Sequence, residues 1–217
     1  MEKINTVLFD FDGTLMDTNE VILGSWQHTF KAFEGRERPA GEILKTFGEP
    51  LTTTIVKLLP NVNVEEAVDI YRSFQRDKFG KMIRLFPGMP ELLAALQSQG
   101  YKLGIVTSRL TGTTMQGLEK YDIKKHFDAV VTFDDTKKHK PDPDPVFCAL
   151  EKLGSTAEEA IMLGDSKFDV LCARNAGVKS VLVGWSLAAS EEDRTGENAP
   201  DYIIESADEL LAILKDV

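Results

Sequence analysis

Asp10 and Asp12 are two carboxylic acids separated by one residue, and they directly follow the apolar run Val7–Phe9. An apolar run that ends in a turn rich in Asp is typical of a buried strand that carries polar side chains at its end. Two carboxyl groups in this position can divide two tasks. One can attack phosphorus and form an aspartyl-phosphate, while the other gives a proton to the leaving oxygen and later takes one from water. This division requires one ionised and one protonated group, so their surroundings must differ.

Asp165 and Asp169 are a second pair of acids, just beyond the apolar run Ala160–Leu163. A carboxylate at the end of a buried strand is unfavourable unless a metal ion or hydrogen bonds compensate for the lost water. Asp10 and Asp165 would meet this need by sharing a divalent cation, and a small set of hard oxygen ligands suits Mg²⁺. Asp169 lies one helical turn after Asp165, on the same side of the helix start. The alternative for each single Asp is that it caps the helix that follows its strand.

Thr107, Ser108 and Lys140 could hold the oxygens of a phosphate group. Thr107 and Ser108 follow the apolar pair Ile105–Val106, and they supply hydroxyls and backbone N–H groups where the next segment begins. A helix N-cap is the alternative role for this pair. Lys140 lies in a segment with three prolines, which restrict the backbone before a helix and can fix the position of the ammonium group. That ammonium could neutralise both the nucleophile and the incoming phosphate.

An alternation of strands and helices must position these side chains. Strands are predicted at Val7–Phe9, Lys102–Thr107, Ala129–Phe133, Ala160–Leu163, Ser180–Val183 and Tyr202–Ile204, and helices at Pro90–Gln99, Pro145–Leu153 and Asp169–Asn175. This order predicts an α/β fold with a doubly wound parallel sheet. Such sheets bind ligands beyond the carboxyl ends of their strands, at a topological switch point. Asp134 and Asp135 also follow a predicted strand, so they join the candidates at this edge.

The segment between the first strand and the rest of the sheet differs in character. Its apolar residues recur at helical intervals, with no alternation typical of strands. We therefore expect an inserted all-helical cap domain at residues 17–82, and an α/β core formed by residues 1–16 and 83–217. The two crossings near Asp17 and Met82 would act as hinges, because a site enclosed by a cap must open to admit its substrate.

Composition excludes several classes of protein. The chain has 217 residues with 25 Lys and Arg against 35 Asp and Glu, and its net charge of −10 argues against a nucleic-acid partner. Its longest apolar runs are five residues, as at Leu92–Leu96, whereas a membrane span needs roughly 20. The first residues lack the pattern of a secretory signal, so we expect a cytoplasmic protein without a membrane partner. Cys148 and Cys172 are expected to be reduced thiols. No sequence feature predicts an oligomeric state.

Four motifs in chain order resemble those of the haloacid dehalogenase superfamily of phosphotransferases. They are Asp10–Leu15, Ile105–Ser108, Lys140–Pro141 and Gly164–Asp169. The resemblance covers essentially the whole chain and implies a Rossmann-like core with a small helical cap. It further implies that Asp10 is the nucleophile and Asp12 the general acid and base.

The same resemblance implies the substrate and metal contacts. Substrate phosphate would be held by Phe11, Thr107, Ser108 and Lys140. Mg²⁺ would be bound by the side chains of Asp10 and Asp165 and the carbonyl of Asp12, with Asp169 supporting it through water.

Single residues separate the reactions found in this superfamily. Its dehalogenases lack the second Asp of the first motif, so Asp12 argues against dehalogenation. Its sugar-phosphate mutases carry a cap His ten residues beyond that Asp, where this sequence has Ile22. Hydrolysis of a small phosphate substrate is therefore preferred over a mutase reaction. A phosphate-accepting signalling module and a non-catalytic binding protein are further alternatives, although neither explains both the cap and the complete set of acids.

Within the hydrolases, the sequence looks most like the bacterial inorganic pyrophosphatases of the superfamily and the related phosphoglycolate phosphatases. The segments Gly48–Leu51 and Tyr101–Thr107 carry this likeness. Glu49 departs from the pyrophosphatase pattern, where an uncharged residue is usual. Asn19, Glu49 and Arg84 are the cap-side residues expected to select the substrate.

Overall fold

The structure, a computed structural model, describes residues 3–188, 191–196 and 198–217. Its strands are β1 (Thr6–Phe9), β2 (Met16–Asp17), β3 (Arg84–Leu85), β4 (Lys102–Val106), β5 (Ala129–Val131), β6 (Ala160–Gly164), β7 (Lys179–Val183) and β8 (Tyr202–Ile204). Its helices are α1 (Asn19–Glu34), α2 (Ala40–Leu44), α3 (Leu51–Leu58), α4 (Val64–Met82), α5 (Met89–Ser98), α6 (Thr111–Lys120), α7 (Asp144–Leu153), α8 (Lys167–Asn175), α9 (Glu191–Arg194) and α10 (Glu209–Asp216).

The described residues form a parallel sheet of six strands in the order β5-β4-β1-β6-β7-β8. Strand β1 lies in the middle, with Thr6 opposite Lys102 of β4 on one side and opposite Ala160 of β6 on the other. The chain moves to one side of β1 for β4 and β5, and to the other side for β6 to β8. The carboxyl end of β1 is therefore the topological switch point of the sheet. This confirms the predicted doubly wound α/β fold and places Asp10 directly at the switch point.

Both faces of the sheet are covered by helices. Val7 and Phe9 of β1 belong to a core that includes residues of α5, α6 and α10, while Leu8 belongs to a second core with residues of α7 and α8. Successive side chains of a strand point to opposite faces, so β1 is buried from both sides. This rigid setting explains why the residues that follow β1 can be held in fixed positions.

Helices α1 to α4 are inserted between β2 and β3 and have a core of their own, which includes Trp26, Phe30 and Tyr71. The rings of Trp26 and Phe30 stack with centroids 5.6 Å apart, and Trp26 meets Tyr71 edge-on at 5.1 Å. This confirms the inserted helical cap. The two crossings between cap and sheet lie side by side, because β2 and β3 pair as an antiparallel ribbon.

The third predicted strand ends earlier than expected. The prediction extended it to Phe133, but β5 stops at Val131 and a 3₁₀ turn spans Phe133–Asp135. Thr132 caps this turn, and its backbone N–H and hydroxyl both donate to the carboxylate of Asp135 at 2.8 Å. Local capping therefore ended the strand, a signal that the apolar pattern alone does not contain.

Two sequence predictions about thiols and membranes can be compared with the structure. Cys172 is buried and Cys148 half-buried, and both are free, as expected. Among the described residues, no helix combines the length and apolar character that crossing a bilayer requires.

Candidate active site

A cavity of about 400 Å³ lies between the cap and the carboxyl end of the sheet. Its volume falls within the roughly 300–1,000 Å³ typical of small-molecule sites. The sheet side contributes Asp10, Asp12, Gly13, Thr107, Ser108, Arg109, Lys140, Asp165 and Asp169; the cap side contributes Thr18, Asn19, Ile22, Trp26, residues 46–51, Thr54, Asp69, Tyr71, Arg72, Gln75 and Arg76. Residues from all four sequence motifs thus meet in one cavity, although they are far apart in the chain.

Lys140 lies at the centre of the acidic residues. Its Nζ donates to Oδ1 of Asp10 at 2.7 Å and to Oδ1 of Asp169 at 2.6 Å. The other oxygen of Asp169 accepts the backbone N–H of Ser166 at 3.1 Å and its hydroxyl at 2.7 Å, which completes the N-terminal cap of α8. Asp169 therefore serves both as a helix cap and as an anchor for the lysine.

Burial and charge alter the proton affinities of this cluster. Burial raises the pKa of Asp10 to about 7; the ammonium of Lys140 lowers it, while the Asp169 and Asp12 carboxylates raise it again. The pKa of Asp165 is also raised well above its ordinary range, first by burial and then by Asp169 and Asp10. Burial alone would lower the pKa of Lys140, but its two carboxylate partners outweigh this and raise it. The cluster thus holds excess negative charge that one lysine does not balance.

The donor set suits a hard divalent cation. One carboxylate oxygen from each of Asp10, Asp165 and Asp169 lies within 4.8 Å of the others, and all three residues are buried. Oxygen ligands of this kind are what Mg²⁺ prefers. Oδ2 of Asp165 accepts the hydroxyl of Ser186 at 2.6 Å, which orients this carboxylate. A cation here would relieve the repulsion that raises the pKa of Asp10 and Asp165.

Gly13 allows the loop after β1 to approach Asp165. Its φ of +72° lies in the left-handed region that favours glycine, and a Cβ at this position would come within 1.7 Å of Oδ2 of Asp165. No other residue type fits both the conformation and the space. The Gly of the first motif therefore brings the Asp10–Asp12 loop against the Asp of the fourth.

Asp12 is paired with an arginine that the sequence analysis did not single out. Arg109 donates two parallel hydrogen bonds to the carboxylate of Asp12, from Nη2 to Oδ1 at 2.7 Å and from Nε to Oδ2 at 2.9 Å. The guanidinium also lies 4.6 Å from the ring centre of Phe79 and 3.4 Å from Oε1 of Gln75, both on the cap helix α4. Burial would lower the pKa of Arg109, but Asp12 outweighs it and raises that pKa. Arg109 thus connects Asp12 of the core to the cap.

The phosphate-holding candidates are only partly gathered by the fold. Thr107 and Ser108 line the cavity with Lys140, and the Thr107 hydroxyl accepts the backbone N–H of Arg109 at 3.2 Å. The side chain of Phe11 instead is fully buried in the main core, so the expectation that it contacts substrate is wrong for the side chain. Only the backbone at position 11 could take part, since the apolar ring is more stable in the core.

Two other strand-end acids serve the structure rather than the cavity. Asp134 accepts the backbone N–H and the hydroxyl of Thr111, at the start of α6. Asp135 caps the turn described above and also pairs with Lys152 at 2.8 Å. Neither lines the cavity. For these two, helix and turn capping prevailed over ligand binding.

A family model of haloacid dehalogenase-like hydrolases matches residues 7–183, which include all four motifs. The chain belongs to this family.

Other haloacid dehalogenase-like proteins match over nearly their full lengths. The chain is similar to the pyrophosphatase PpaX of Halalkalibacterium halodurans, with 39% identity over 98% of this chain and 97% of the relative. A predicted phosphatase from Clostridium acetobutylicum has 30% identity, full coverage of both chains and a TM-score of 0.88. A haloacid dehalogenase-like hydrolase from Streptococcus pneumoniae has 32% identity, a TM-score of 0.87 and coverage of 98% and 99%. The chain is therefore an enzyme, a phosphatase of the haloacid dehalogenase-like family.

The cap side of this haloacid dehalogenase-like site differs in part from the expectation. Asn19 and Glu49 line the cavity, but Arg84 is exposed on β3 and does not, so its expected role is wrong. Glu49 already has partners within the cap. Its carboxylate accepts a hydrogen bond from Lys57 Nζ at 2.9 Å and one from the Thr54 hydroxyl at 3.3 Å.

Three arginines that line the cavity, Arg72, Arg76 and Arg109, were missed by the sequence reasoning. The available signals were the position of Arg109 directly after Ser108 and the four-residue spacing of Arg72 and Arg76 on one helix.

Proposed function

We propose that the protein is a Mg²⁺-dependent phosphohydrolase that forms an aspartyl-phosphate on Asp10 and acts on a small phosphate compound, pyrophosphate first and phosphoglycolate second. One observation carries the proposal. Asp10 lies at the switch point, lines the cavity, and shares a lysine with Asp169 beside Asp165. The relative from Halalkalibacterium halodurans, which carries the name pyrophosphatase, supports the first substrate.

In the proposed reaction, the Asp10 carboxylate attacks phosphorus and the bond from phosphorus to the leaving oxygen breaks. Asp12 donates a proton to that oxygen. Water then attacks the aspartyl-phosphate while Asp12 takes a proton from it, which releases phosphate and restores Asp10. Lys140 holds Oδ1 of Asp10, and Thr107 and Ser108 offer hydroxyl and N–H donors to the phosphate oxygens. For proton transfer, one oxygen of Asp12 must be released from Arg109.

Asp10 and Asp165 would hold Mg²⁺ through their side chains, together with the carbonyl of Asp12. Both oxygens of Asp169 already accept hydrogen bonds, from Lys140 and Ser166, so this residue would act through water. When bound, the ion supplies positive charge against the negative charge that develops on phosphate.

The cavity argues against the two alternatives. Ile22 of α1 lines it at the position where a mutase of this superfamily would carry a proton-transferring His, and its side chain cannot move a proton. A signalling module that holds its phosphate needs no cap, whereas here cap residues make up more than half of the residues that line the cavity. Hydrolysis, with a cap that shields the site, accounts for both features.

The test is a panel of pyrophosphate, phosphoglycolate and other phosphate esters assayed with Mg²⁺ and with chelator. We expect pyrophosphate or phosphoglycolate to show the highest kcat/KM, and chelator to abolish turnover. Asp10→Asn should remove activity while circular dichroism and melting show an intact fold. Full activity of this variant would refute the role of Asp10, and isomerisation of a sugar phosphate without phosphate release would favour the mutase.

A further inference from the structure

Among the described residues, four with cationic side chains line the cavity, and they differ in whether they already have partners. They are Arg72, Arg76, Arg109 and Lys140. Lys140 is engaged by Asp10 and Asp169, and Arg109 by both oxygens of Asp12. These two cations therefore serve the catalytic acids of the core. More than half of their N–H groups are already committed, whereas a cation without a partner offers all of them to a ligand.

Arg72 and Arg76 are different, since neither makes an ion pair or side-chain hydrogen bond within residues 3–188, 191–196 and 198–217. They lie four residues apart on α4, so they share one face of the helix. Asp69, one turn before Arg72, lines the same cavity but is more than 4 Å from either guanidinium. The cap thus contributes to the cavity wall two arginines whose guanidinium groups have no partner among the described residues.

Glu49, one of the two cap-side acids that line the cavity, does not cancel this charge. Glu49 is bound by Lys57 at 2.9 Å, and its side chain is only 12% exposed. A buried hydroxyl adds to the polar groups left open, because Thr18 is one of the lining residues and its Oγ1 has no hydrogen-bond partner among the described atoms. Buried polar groups are normally satisfied. The cap wall therefore offers donors and positive charge that the protein itself does not use.

We propose that Arg72 and Arg76 bind the second anionic group of the substrate, the one that is not transferred to Asp10. Guanidinium groups recognise phosphoryl and carboxylate oxygens through paired, charge-assisted hydrogen bonds. A substrate that spans from Asp10 to α4 would place one phosphoryl group at the nucleophile and a second anion at the arginines. This inference rests on the proposed function, and it makes the two arginines the residues that select substrates with two anionic groups.

The inference explains how Glu49 is compatible with a doubly charged substrate. A free carboxylate at this position would repel the leaving group, but the ammonium of Lys57 pairs with Glu49 and offsets part of that repulsion. Arg72 and Arg76 then outnumber Asp69, the other cap-side acid of the cavity.

The experiment compares wild type, Arg72→Gln, Arg76→Gln and the double variant on pyrophosphate, phosphoglycolate and p-nitrophenyl phosphate, which has no second anion. Lys81→Gln is the matched control, because it removes a positive charge from an exposed position of the same helix outside the cavity. We expect the ratio of kcat/KM for pyrophosphate or for phosphoglycolate to that for p-nitrophenyl phosphate to fall at least tenfold in each single variant. The loss should appear mainly in KM, and Lys81→Gln should keep the wild-type ratio.

Pyrophosphate and phosphoglycolate differ in their second anionic group, so comparing them identifies the group that binds the arginines. A larger loss with pyrophosphate assigns a phosphoryl group to the arginines, and a larger loss with phosphoglycolate assigns a carboxylate; either outcome supports the inference. An unchanged ratio, or the same change in Lys81→Gln, overturns it.

A binding experiment tests the role of the two arginines independently of the reaction. In the Asp10→Asn background, calorimetry with methylenediphosphonate should show weaker binding after Arg72→Gln or Arg76→Gln. If wild type hydrolyses none of the substrates, the proposed function fails, but arginine-dependent binding of the diphosphonate would still stand. If wild type is active and the diphosphonate binds equally to all variants, only the arginine inference fails.

Discussion

The pair formed by Asp12 and Arg109 is the residue-level feature with the clearest mechanistic consequence. The guanidinium holds both carboxylate oxygens of Asp12, whose side chain is 26% exposed, while Arg109 itself is nearly buried. Such a fork restricts the rotation of the carboxylate and therefore places its oxygens accurately. Because Arg109 occupies both oxygens, the pair must loosen for Asp12 to transfer a proton in the proposed mechanism.

We expect Arg109→Gln to lower kcat by about 10²-fold, because a reacting group that is misplaced by about 1 Å can cost that much. Arg109→Lys should lie between wild type and Arg109→Gln, since it keeps the charge but not the paired geometry. Steady-state kinetics and urea unfolding measured together provide the check. A variant that loses stability but keeps its kcat would assign the arginine a purely structural role.

Lys140 is the residue whose removal should cost the most stability. Lys140→Met leaves Asp10 and Asp169 buried without their cation, and breaking a buried pair in this way costs about 3–5 kcal/mol. Urea unfolding of the metal-free protein measures the cost. Lys81→Met, at an exposed position, is the control and should change the free energy of unfolding by less than about 0.5 kcal/mol.

This loss should depend on pH. Because the pKa of Asp10 in the folded protein is raised to about 7 from 3.8, its contribution to stability is fully present below pH 3.8 and is lost as the pH rises through 7. Because the ammonium of Lys140 lowers that pKa, its removal raises the pKa of Asp10 further. More stability is then lost when the Asp10 carboxyl ionises. The deficit of Lys140→Met should therefore be smaller at pH 5 than at pH 8. An equal deficit at both values would contradict the charge account.

At the scale of elements, the cap meets the core through a loop that contains Gly48. This residue has φ of +82°, and a Cβ would come within 2.5 Å of Ser166 Oγ, the hydroxyl that caps α8. We propose that residues 17–82 form the cap and that it closes on the core about the ribbon of β2 and β3. The close approach of Gly48 to Ser166 is a contact that closure would require.

Gly48→Ala should lower kcat/KM about tenfold, because the added methyl group holds the cap away from the core. Gly35→Ala is a matched control: its φ is +71°, and nothing lies within 4 Å of the added Cβ. Both variants should lose about 1–2 kcal/mol of stability from the left-handed conformation. Kinetics measures the effect on closure, and thermal melting measures the effect on stability. Equal kcat/KM for the two variants would contradict closure at Gly48.

At the scale of the whole molecule, we expect the three buried acids to couple metal binding to stability. We expect MgCl₂ to raise Tm relative to EDTA, with about 2.7 kcal/mol of stabilisation at a hundred times the Kd. The shift should be larger at pH 8 than at pH 5.5, because protons compete for Asp10, whose pKa is about 7. Scanning calorimetry measures both effects.

Asp165→Asn should abolish the magnesium-dependent shift, whereas Asp208→Asn, at an exposed position, should keep it. A shift of the same size in both variants would place the ion elsewhere. This readout concerns binding alone, so it does not depend on identifying the substrate.

Much of the fold followed from local pattern. The apolar runs predicted the sheet strands, and the long helical spacing after Asp17 predicted the cap, because periodicity of two or 3.6 residues is a property of neighbouring positions. The strand-end rule then placed Asp10 and Asp165 at one edge, and the structure brings both to one cavity. The predicted end of the third strand at Phe133 was wrong, because the hydrogen bonds between Thr132 and Asp135 ended the strand earlier.

Only the tertiary structure decided which charges meet. Asp12 and Arg109 are 97 residues apart, and their pairing depends on how the segment after β4 folds against the loop after β1. The same holds for Asp10 and Lys140, separated by 130 residues. That Arg72 and Arg76 have no partner among the described residues also depends on how the cap packs over the sheet. Sequence patterns determine elements and their polar ends through short-range geometry, whereas charge partners are set by long-range packing, which no local period encodes.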